Sequence, residues 1–216
     1  MPKPVALFGG TFDPVHFGHL RPAYELAQVL DAAELRFIPC QLPPLKDAAQ
    51  ASPELRVEML EAALKGLPGC SVDKRELHRE GPSYTVDTLS ELRDEFPDTP
   101  LCLIVGADAW QGFPRWHRWQ DILSLAHIVV AQRPGWPSGE VENTVPELAD
   151  YVAQAQCTDP QELHASKAGR LYTHAVTQLE ISSSAIRAMI ADGKEPDFLL
   201  PSVVAQIIRR TGCYRS

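Results

Sequence analysis

The stretch VALFGGTFDPVHFGH, residues 5–19, decides the fold of this 216-residue chain. Its first four residues are an apolar run, which predicts a buried strand. Two glycines end the run, and because glycine has no Cβ they let the backbone approach a ligand closely. His16 and His19 follow where a helical pattern begins, at about residues 18–30. A strand, a glycine turn and a helix N-terminus form a phosphate site, because free N–H groups and the helix dipole attract anions.

The two histidines have three interpretations at this point. In a phosphate site, both imidazoles can donate hydrogen bonds to phosphate oxygens. A zinc pair on a helix more often has a spacing of four and a third ligand nearby, and here the only close carboxylate is Asp13. Ordinary packed histidines are the third possibility, and for a lone histidine they are the preferred one. The glycine-rich strand-to-helix turn favours the phosphate site, and with it nucleotidyl transfer.

Composition excludes several other classes of protein. The apolar content of 44% suffices for a normal core, and no apolar run approaches membrane-spanning length. The N-terminus runs straight into the first strand, which leaves no room for a signal peptide. The net charge of −8 argues against non-specific binding to DNA or RNA, which needs a dense basic surface. Five widely spaced cysteines without a C-x-x-C pair predict a reduced, cytoplasmic protein without structural disulfides. The charge and the lack of a long apolar run predict that it binds neither nucleic acid nor membrane.

Strand and helix patterns alternate along the chain, which predicts an α/β fold with a doubly wound, mostly parallel sheet. We expect one domain over residues 1–216, with a small C-terminal helical part at about 182–216. The predicted strands are residues 5–8, 35–39, 70–73, 101–105, 128–131 and 176–181, with a further short strand opening at 171–172. The predicted helices are residues 18–30, 53–65, 85–95, 119–125, 182–191 and 201–210, with a less regular region at 133–171 that contains a candidate helix at 145–156.

A second polar motif, ISSSAIR at residues 181–187, begins the helix predicted near the C-terminus. Its serines can cap free N–H groups or bind a phosphate. Ser184 and Arg187 are three residues apart and share a helix face, so Arg187 can offer a planar two-pronged donor to phosphate. Taken alone, the motif is better explained as a plain serine cap followed by a solvated arginine, and only together with the first motif does it favour ATP binding.

Both motifs resemble a known family. The sequence HFGH matches the H-x-G-H motif of nucleotidylyltransferases, and GGTFDP before it matches their adenylyltransferase branch. ISSSAIR resembles the second motif of that family, I-S-S-[ST]-x-[IL]-R. The resemblance implies a Rossmann-like nucleotidyltransferase fold and transfer of AMP from ATP to a phosphate acceptor with release of pyrophosphate. It also implies Mg²⁺ carried by the ATP phosphates, with no protein metal site.

Three further blocks are similar to nicotinate-mononucleotide adenylyltransferases, so that the resemblance extends from residue 5 to 187. They are PPLK at 43–46 together with Arg56, GPSYTVDTL at 81–89, and residues 110–119 followed by RPG at 133–135. Phosphopantetheine adenylyltransferases share the first motif, but their chains are shorter and usually read T-N-G-H. One departure is Leu45, where the family usually has histidine, and this leaves open any role of that position.

The resemblance implies roles for individual residues. His16 and His19 contact the phosphates, with His19 the donor to the α-phosphate and the transition state, Lys46 neutralises phosphate charge, and Arg187 holds the leaving pyrophosphate. The implied ATP site comprises Gly9, Gly10, Thr11, Phe12, His16, His19, Gly106, Asp108, Ile181, Ser183, Ser184 and Arg187. The implied nicotinate-mononucleotide site comprises Thr11, Lys46, Tyr84, Thr85 and Trp116.

Several of these residues also have a plainer interpretation. Asp108 either accepts from the ribose hydroxyls or caps the short helix after its strand. Trp116 and Trp119 can each either stack on the pyridine ring or pack in the core. We expect Trp116 to contact ligand and Trp119 to be core. At the start of the helix predicted at 85–95, free N–H groups near Tyr84 and Thr85 can take up the nicotinate carboxylate.

The predicted function is adenylyl transfer from ATP to nicotinate mononucleotide, which gives nicotinate adenine dinucleotide in NAD biosynthesis. The acceptor phosphate attacks in line, without a covalent intermediate. The alternatives are another acceptor, namely nicotinamide mononucleotide or phosphopantetheine, and a non-catalytic nucleotide-binding module. The expected partners are these small molecules, with a homo-oligomer possible.

Overall fold

The computed structural model describes residues 2–43, 48–132, 146–177 and 179–215. Its strands are β1 Val5–Gly10, β2 Glu34–Pro39, β3 Cys70–Val72, β4 Leu101–Gly106, β5 His127–Gln132, β6 Gln156–Cys157 and β7 Leu171–Ala175. Its α-helices are α1 Phe17–Val29, α2 Pro53–Leu64, α3 Thr85–Glu95, α4 Ala107–Gln111, α5 Trp119–Leu125, α6 Ala149–Ala155, α7 Ser183–Ala191 and α8 Ser202–Thr211. Short 3₁₀ helices lie at Arg75–His78, Phe113–Arg115, Pro146–Leu148 and Pro160–His164.

The strands form a seven-stranded sheet in the order β3-β2-β1-β4-β5-β7-β6. Strand β4 pairs in parallel with β1 and β5, and β7 pairs in parallel with β5 and β6. The first five residues of β4 are all buried, as expected for a parallel strand that is covered on both faces. The α/β class and the parallel sheet predicted from the sequence are therefore confirmed.

Most predicted helices are confirmed because their start signals are local. Ser52 caps α2 by accepting from Leu55 N, directly before Pro53 at the first helical position. Ser182 caps α7 in the same way, by accepting from Ala185 N. Helix α8 ends at Gly212, whose φ of 69° is the left-handed conformation that glycine tolerates.

The strand predicted at residues 176–181 is wrong. The last strand is Leu171–Ala175, and none of the described residues from 176 to 181 belongs to a strand. Val176 N still donates to Gln132 O on the neighbouring strand, but Thr177 N donates to the Glu25 carboxylate. The Thr177 N–H is thus bonded to a side chain of α1 and not to a neighbouring strand. The helix predicted at 145–156 is observed at Ala149–Ala155, directly after a 3₁₀ turn. Residue 145, the first of the predicted range, lies outside the described residues.

Contacts between Cα atoms divide the chain into two compact units. Unit 1 comprises residues 1–8, 23–36 and 84–177, and unit 2 comprises residues 9–22, 37–83 and 178–216. In unit 1, the Arg93 guanidinium of α3 donates to the carbonyl oxygens of Phe96, Thr99, Leu125 and Lys167. In unit 2, α2 packs against α8 and β3. The single domain expected over 1–216 stays a prediction.

The five cysteines are free thiols, and Cys102 in β4 is fully buried, as its apolar surroundings in the sequence predict. Within the described ranges, the model has no helix long and apolar enough to cross a membrane.

Candidate active site

The loop from β1 to α1 belongs to unit 2, and a buried aromatic ring holds its shape. Phe12 is 1% exposed and has a φ of 52°, in the left-handed region that a bulky residue rarely adopts. Its ring packs edge-on against His19 at 5.3 Å between centroids and also contacts Phe37 at 6.0 Å. Packing on both sides stabilises the unusual backbone and places the His19 ring.

The two histidines of the loop contact each other. Their rings stack at 3.7 Å between centroids, with 24° between the planes. His16 is 3% exposed, and burial lowers the pKa of its imidazole to about 4. His16 is therefore neutral at pH 7, with one ring nitrogen as donor and the other as acceptor. Its Nδ1 has no hydrogen-bond partner within the described residues.

Gly18, between the histidines, is needed for packing inside the protein. A Cβ at this position would lie 3.0 Å from Cε1 and Nδ1 of His16 and 3.0 Å from the carbonyl oxygen of Ile181. Gly10 has a similar role, since a Cβ there would lie 2.9 Å from the Phe12 ring. Only Gly9, which is exposed and has nothing within 4 Å of its Cβ position, matches the expected open approach to a ligand.

The second motif contacts this loop directly. Ser183 Oγ donates to Pro14 O at 3.0 Å, and Arg187 Nη1 donates to Asp13 O at 2.8 Å. The Arg187 side chain is 25% exposed, and its Nε has no hydrogen-bond partner within the described part of the chain. Ser184 Oγ lies 3.2 Å from Ser182 Oγ at the start of α7. The structure thus brings together His16, His19, Ile181, Ser183, Ser184 and Arg187.

Asp13 has a larger part in this arrangement than the sequence suggested. Its buried carboxylate accepts from Gln50 N at 2.8 Å, Ala51 N at 3.1 Å and Tyr214 Oη at 2.7 Å. In the sequence, Asp13 was notable only as the carboxylate close to the two histidines and as part of the GGTFDP motif, because its partners are remote in the chain. Its oxygens are occupied by protein donors, so it does not fit the role of a zinc ligand.

Arg56 is the second buried anchor of the loop. It is 1% exposed, and its Nη1 donates to Thr11 O at 2.7 Å and to Cys40 O at 2.8 Å. The sequence indicated Arg56 only as part of a family block. A stronger signal was available, because Arg56 falls on the apolar face of α2 with Met59 and Leu60, where a charge is normally absent unless it is paired.

Other predicted site residues lie in unit 1. Gly106 ends β4, is exposed and has nothing within 4 Å of its Cβ position. Gly106 is also the N-cap of α4, and Asp108 lies in the first turn, so the interpretation of Asp108 as the cap is wrong. Lys46 lies outside the described residues.

Two of the predicted site residues in unit 1, Tyr84 and Trp116, pack against other aromatic rings. Tyr84, the N-cap of α3, stacks on His117 at 4.3 Å, and Thr85 is the first residue of that helix. Trp116 and Trp119 both pack against the buried Phe113, at 5.1 and 6.2 Å between centroids. Trp119 is only partly buried, like Trp116, whereas the fully buried tryptophan is Trp110. The expectation that Trp119 is core is therefore not met.

Helix α3 also offers donors to a ligand. The N–H groups of Asp87 and Thr88 donate to Tyr84 O, whereas those of Thr85 and Val86 make no hydrogen bond within the described ranges. A helix N-terminus with such N–H groups attracts an anion.

Among the described residues, no group of three or more His, Cys, Asp or Glu side chains is arranged to hold a metal ion. The zinc interpretation of His16 and His19 therefore lacks a third ligand in this part of the chain.

The chain is similar to known proteins in both sequence and fold. A family model described as cytidylyltransferase-like matches residues 7–189. A probable nicotinate-nucleotide adenylyltransferase of Methylococcus capsulatus is 48% identical over 97% of this chain and 99% of its own, and one of Aeromonas hydrophila is 45% identical over 98% and 97%. The structure of the Plasmodium falciparum nicotinic acid mononucleotide adenylyltransferase complexed with APC has a TM-score of 0.73 at 14% identity, covering 99% of this chain and 98% of that one. The chain therefore belongs to the cytidylyltransferase-like family and, within it, to the nicotinate-nucleotide adenylyltransferases.

Proposed function

We propose that this protein transfers the adenylyl group of ATP to nicotinate mononucleotide, giving nicotinate adenine dinucleotide and pyrophosphate. Family membership supports the reaction. The observation that carries the proposal is the direct contact, within unit 2, between the histidine loop and the start of α7, where Ser183 and Arg187 hold the backbone of the loop. This contact gathers two imidazoles, a guanidinium and a helix N-terminus, which is a set of donors suited to a polyphosphate.

The reaction needs no protein nucleophile. A phosphate oxygen of the mononucleotide attacks the α-phosphorus of ATP, the bond from that phosphorus to the bridging oxygen breaks, and pyrophosphate leaves with the electron pair. Catalysis then consists of positioning the two substrates and stabilising the charge that develops on the phosphoryl oxygens.

Each side chain of the histidine loop and α7 has a part in this step. His19 donates a hydrogen bond to the α-phosphate as it becomes more negative. His16 is neutral in the absence of ligand, and its low pKa follows from burial; it stacks on His19 and orients that ring. Arg187 has a partly exposed guanidinium whose Nη1 is held by the loop, so its remaining N–H groups can face the leaving pyrophosphate. Lys46 is assigned to phosphate charge by the family resemblance.

Magnesium is part of the proposal as a component of the substrate. It neutralises phosphate charge when it is bound to ATP, and Mg²⁺ commonly takes most of its ligands from water and substrate phosphates. The family resemblance assigns the ion to the phosphates of ATP and not to a protein site.

The acceptor is assigned to the start of α3 and the nearby aromatic residues of unit 1. The N–H groups of Thr85 and Val86 suit the nicotinate carboxylate, and a partly buried ring such as Trp116 suits the pyridine face. Aromatic stacking adds about 0.5–1.5 kcal/mol beyond the buried area.

A pyrophosphate-release assay tests the proposed function. The wild-type protein is incubated with ATP, Mg²⁺ and one acceptor at a time, namely nicotinate mononucleotide, nicotinamide mononucleotide or phosphopantetheine. We expect release with nicotinate mononucleotide, accompanied by stoichiometric dinucleotide on chromatography. Release with none of the acceptors would indicate a nucleotide-binding module, and release with phosphopantetheine alone would reassign the enzyme.

A further inference from the structure

Asp13 lies at a junction of segments that are remote in sequence. Its carboxylate is almost fully buried and accepts hydrogen bonds from the backbone of Gln50 and Ala51 and from the hydroxyl of Tyr214. The Tyr214 bond joins residues 201 positions apart. Because Asp13 precedes His16 by three residues, each of these contacts also restrains the histidine loop.

Arg187 is attached to the same residue. Its Nη1 donates to the carbonyl oxygen of Asp13 at 2.8 Å and lies 3.8 Å from Oδ2 of the carboxylate. Asp13 is its only hydrogen-bond partner within the described residues. The direction of the guanidinium relative to His16 therefore depends on the position of Asp13.

A buried carboxylate is costly unless its oxygens are satisfied, and here each oxygen is. Oδ1 accepts from Ala51 N and Tyr214 Oη, and Oδ2 accepts from Gln50 N with Arg187 nearby. Burial and the neighbouring carboxylate raise the pKa of the Tyr214 hydroxyl, which keeps it protonated as a donor. An uncharged apolar side chain at position 13 would leave these donors unpaired.

We propose that Asp13 is a positioning residue for adenylyl transfer, which holds Arg187 and the histidine loop in one fixed geometry and ties both to the C-terminal segment through Tyr214. The inference rests on the proposed role of Arg187 in binding ATP phosphate. Asp13 contacts neither substrate in this assignment and acts through Arg187 and the loop.

The substitution Asp13→Asn tests the proposal. It keeps the shape of the side chain but places an NH₂ group where an oxygen now accepts, so one backbone or hydroxyl donor faces another donor. We expect MgATP to bind at least tenfold more weakly by calorimetry and KM for ATP to rise by a similar factor. The matched control is Asp73→Asn. Asp73 is also a well-buried carboxylate of unit 2 and is paired with Arg75. Its substitution should lower stability without changing the affinity for MgATP or KM for ATP.

A double-mutant cycle separates positioning from general loss of stability. If Asp13 acts through Arg187, Asp13→Asn should reduce kcat/KM at least tenfold in the wild type but less than threefold in the Arg187→Ala background. If Asp13→Asn reduced kcat/KM by the same factor in both backgrounds, or bound ATP as tightly as the wild type does, the proposal would be overturned.

A second variant keeps the test decisive if Asp13→Asn does not fold. Tyr214→Phe removes one hydrogen bond to the carboxylate and keeps the ring, and we expect a three- to tenfold loss of MgATP affinity that disappears in the Arg187→Ala background. Unchanged ATP affinity in a folded Tyr214→Phe protein would contradict the proposal. ATP binding is measured without an acceptor. A wild-type protein that binds ATP but forms no dinucleotide would therefore contradict the proposed function, while the inference that Asp13 positions Arg187 and the histidine loop for ATP would still be tested by binding alone.

Discussion

His16 and His19 are the same residue type, three positions apart, in different surroundings. His16 is almost fully buried and its low pKa keeps it neutral, whereas His19 is only partly buried and packs between His16 and Phe12. At the residue scale, burial thus separates the two histidines in the way that the proposed function requires, with His16 orienting the His19 ring and His19 reaching a phosphate. This distinction depends on packing and is not visible in the sequence.

Replacement of His19 tests its assignment as a transition-state donor. We expect His19→Ala to lower kcat by at least about 10²-fold, the usual loss for one preorganised donor. Circular dichroism should remain that of the wild type, because His19 is only partly buried. Steady-state kinetics of pyrophosphate release would show this, and turnover near that of the wild type would remove the assignment.

The low pKa of His16 predicts a specific dependence of stability on pH. The folded protein binds this proton with a pKa of about 4, whereas the unfolded chain binds it at the ordinary histidine value of 6.5. The unfolded chain therefore binds more protons between these values, so the stabilising contribution is present above pH 6.5 and is lost as the pH falls towards 4. Between pH 7 and pH 5, the free energy of unfolding should fall by about 2 kcal/mol more in the wild type than in His16→Gln.

Urea denaturation of the two proteins at both pH values measures this difference. The same decline in both proteins would show that His16 is not the buried titrating group. A histidine-resolved NMR titration gives an independent reading, and addition of ATP should raise the pKa of His16 because phosphate charge favours the imidazolium.

At the scale of elements, the first turn of α1 is packed against the segment that leads into α7. The Cβ position of Gly18 is only 3.0 Å from His16 and from Ile181 O. Helix propensity alone would favour alanine over glycine by about 1 kcal/mol. The close backbone oxygen has little freedom to move, so here packing outweighs propensity.

Gly18→Ala should therefore disturb the site while leaving the helix formed. We expect kcat/KM to fall at least tenfold, because the His16 ring and the start of α7 must separate by a few tenths of an ångström. Gly112→Ala is the control, since its Cβ would meet only the end of the exposed Arg115 side chain, which can swing away. If Gly18→Ala were as active as Gly112→Ala, the close packing of Gly18 against His16 and Ile181 would not be needed for activity.

The elements show which features the sequence could predict. Helices α2 and α7 begin with serine caps, and such local signals gave their starts correctly. The strand predicted at 176–181 was wrong, and the N–H of Thr177 bonds to the Glu25 side chain, which is remote in sequence, so no local pattern announces this partner. Motifs located His16 and Arg187, but Asp13 and Tyr214 are recognisable as a pair only after folding brings the ends of the chain together.

At the scale of the whole molecule, the charge of the chain has the same sign as that of its substrates. With 20 basic and 28 acidic residues the net charge is −8, so the overall field does not attract ATP. Under the proposed function, binding comes from local donors, namely helix starts, the imidazoles of His16 and His19, and single cations such as Arg187. The same reasoning applies to the acceptor.

Nicotinate mononucleotide should be preferred over nicotinamide mononucleotide. The N–H groups of Thr85 and Val86, at the start of α3, match a ring carboxylate in charge and hydrogen bonding. The amide lacks the negative charge and would leave these donors poorly matched, and a site built for a polar group rejects such analogues strongly. Measurement of kcat/KM for both mononucleotides at one ATP concentration decides the matter. We expect kcat/KM to be at least tenfold higher for the acid, because the amide loses a charge-assisted hydrogen bond. Equal values, or a preference for the amide, would mean that the start of α3 does not bind the carboxylate.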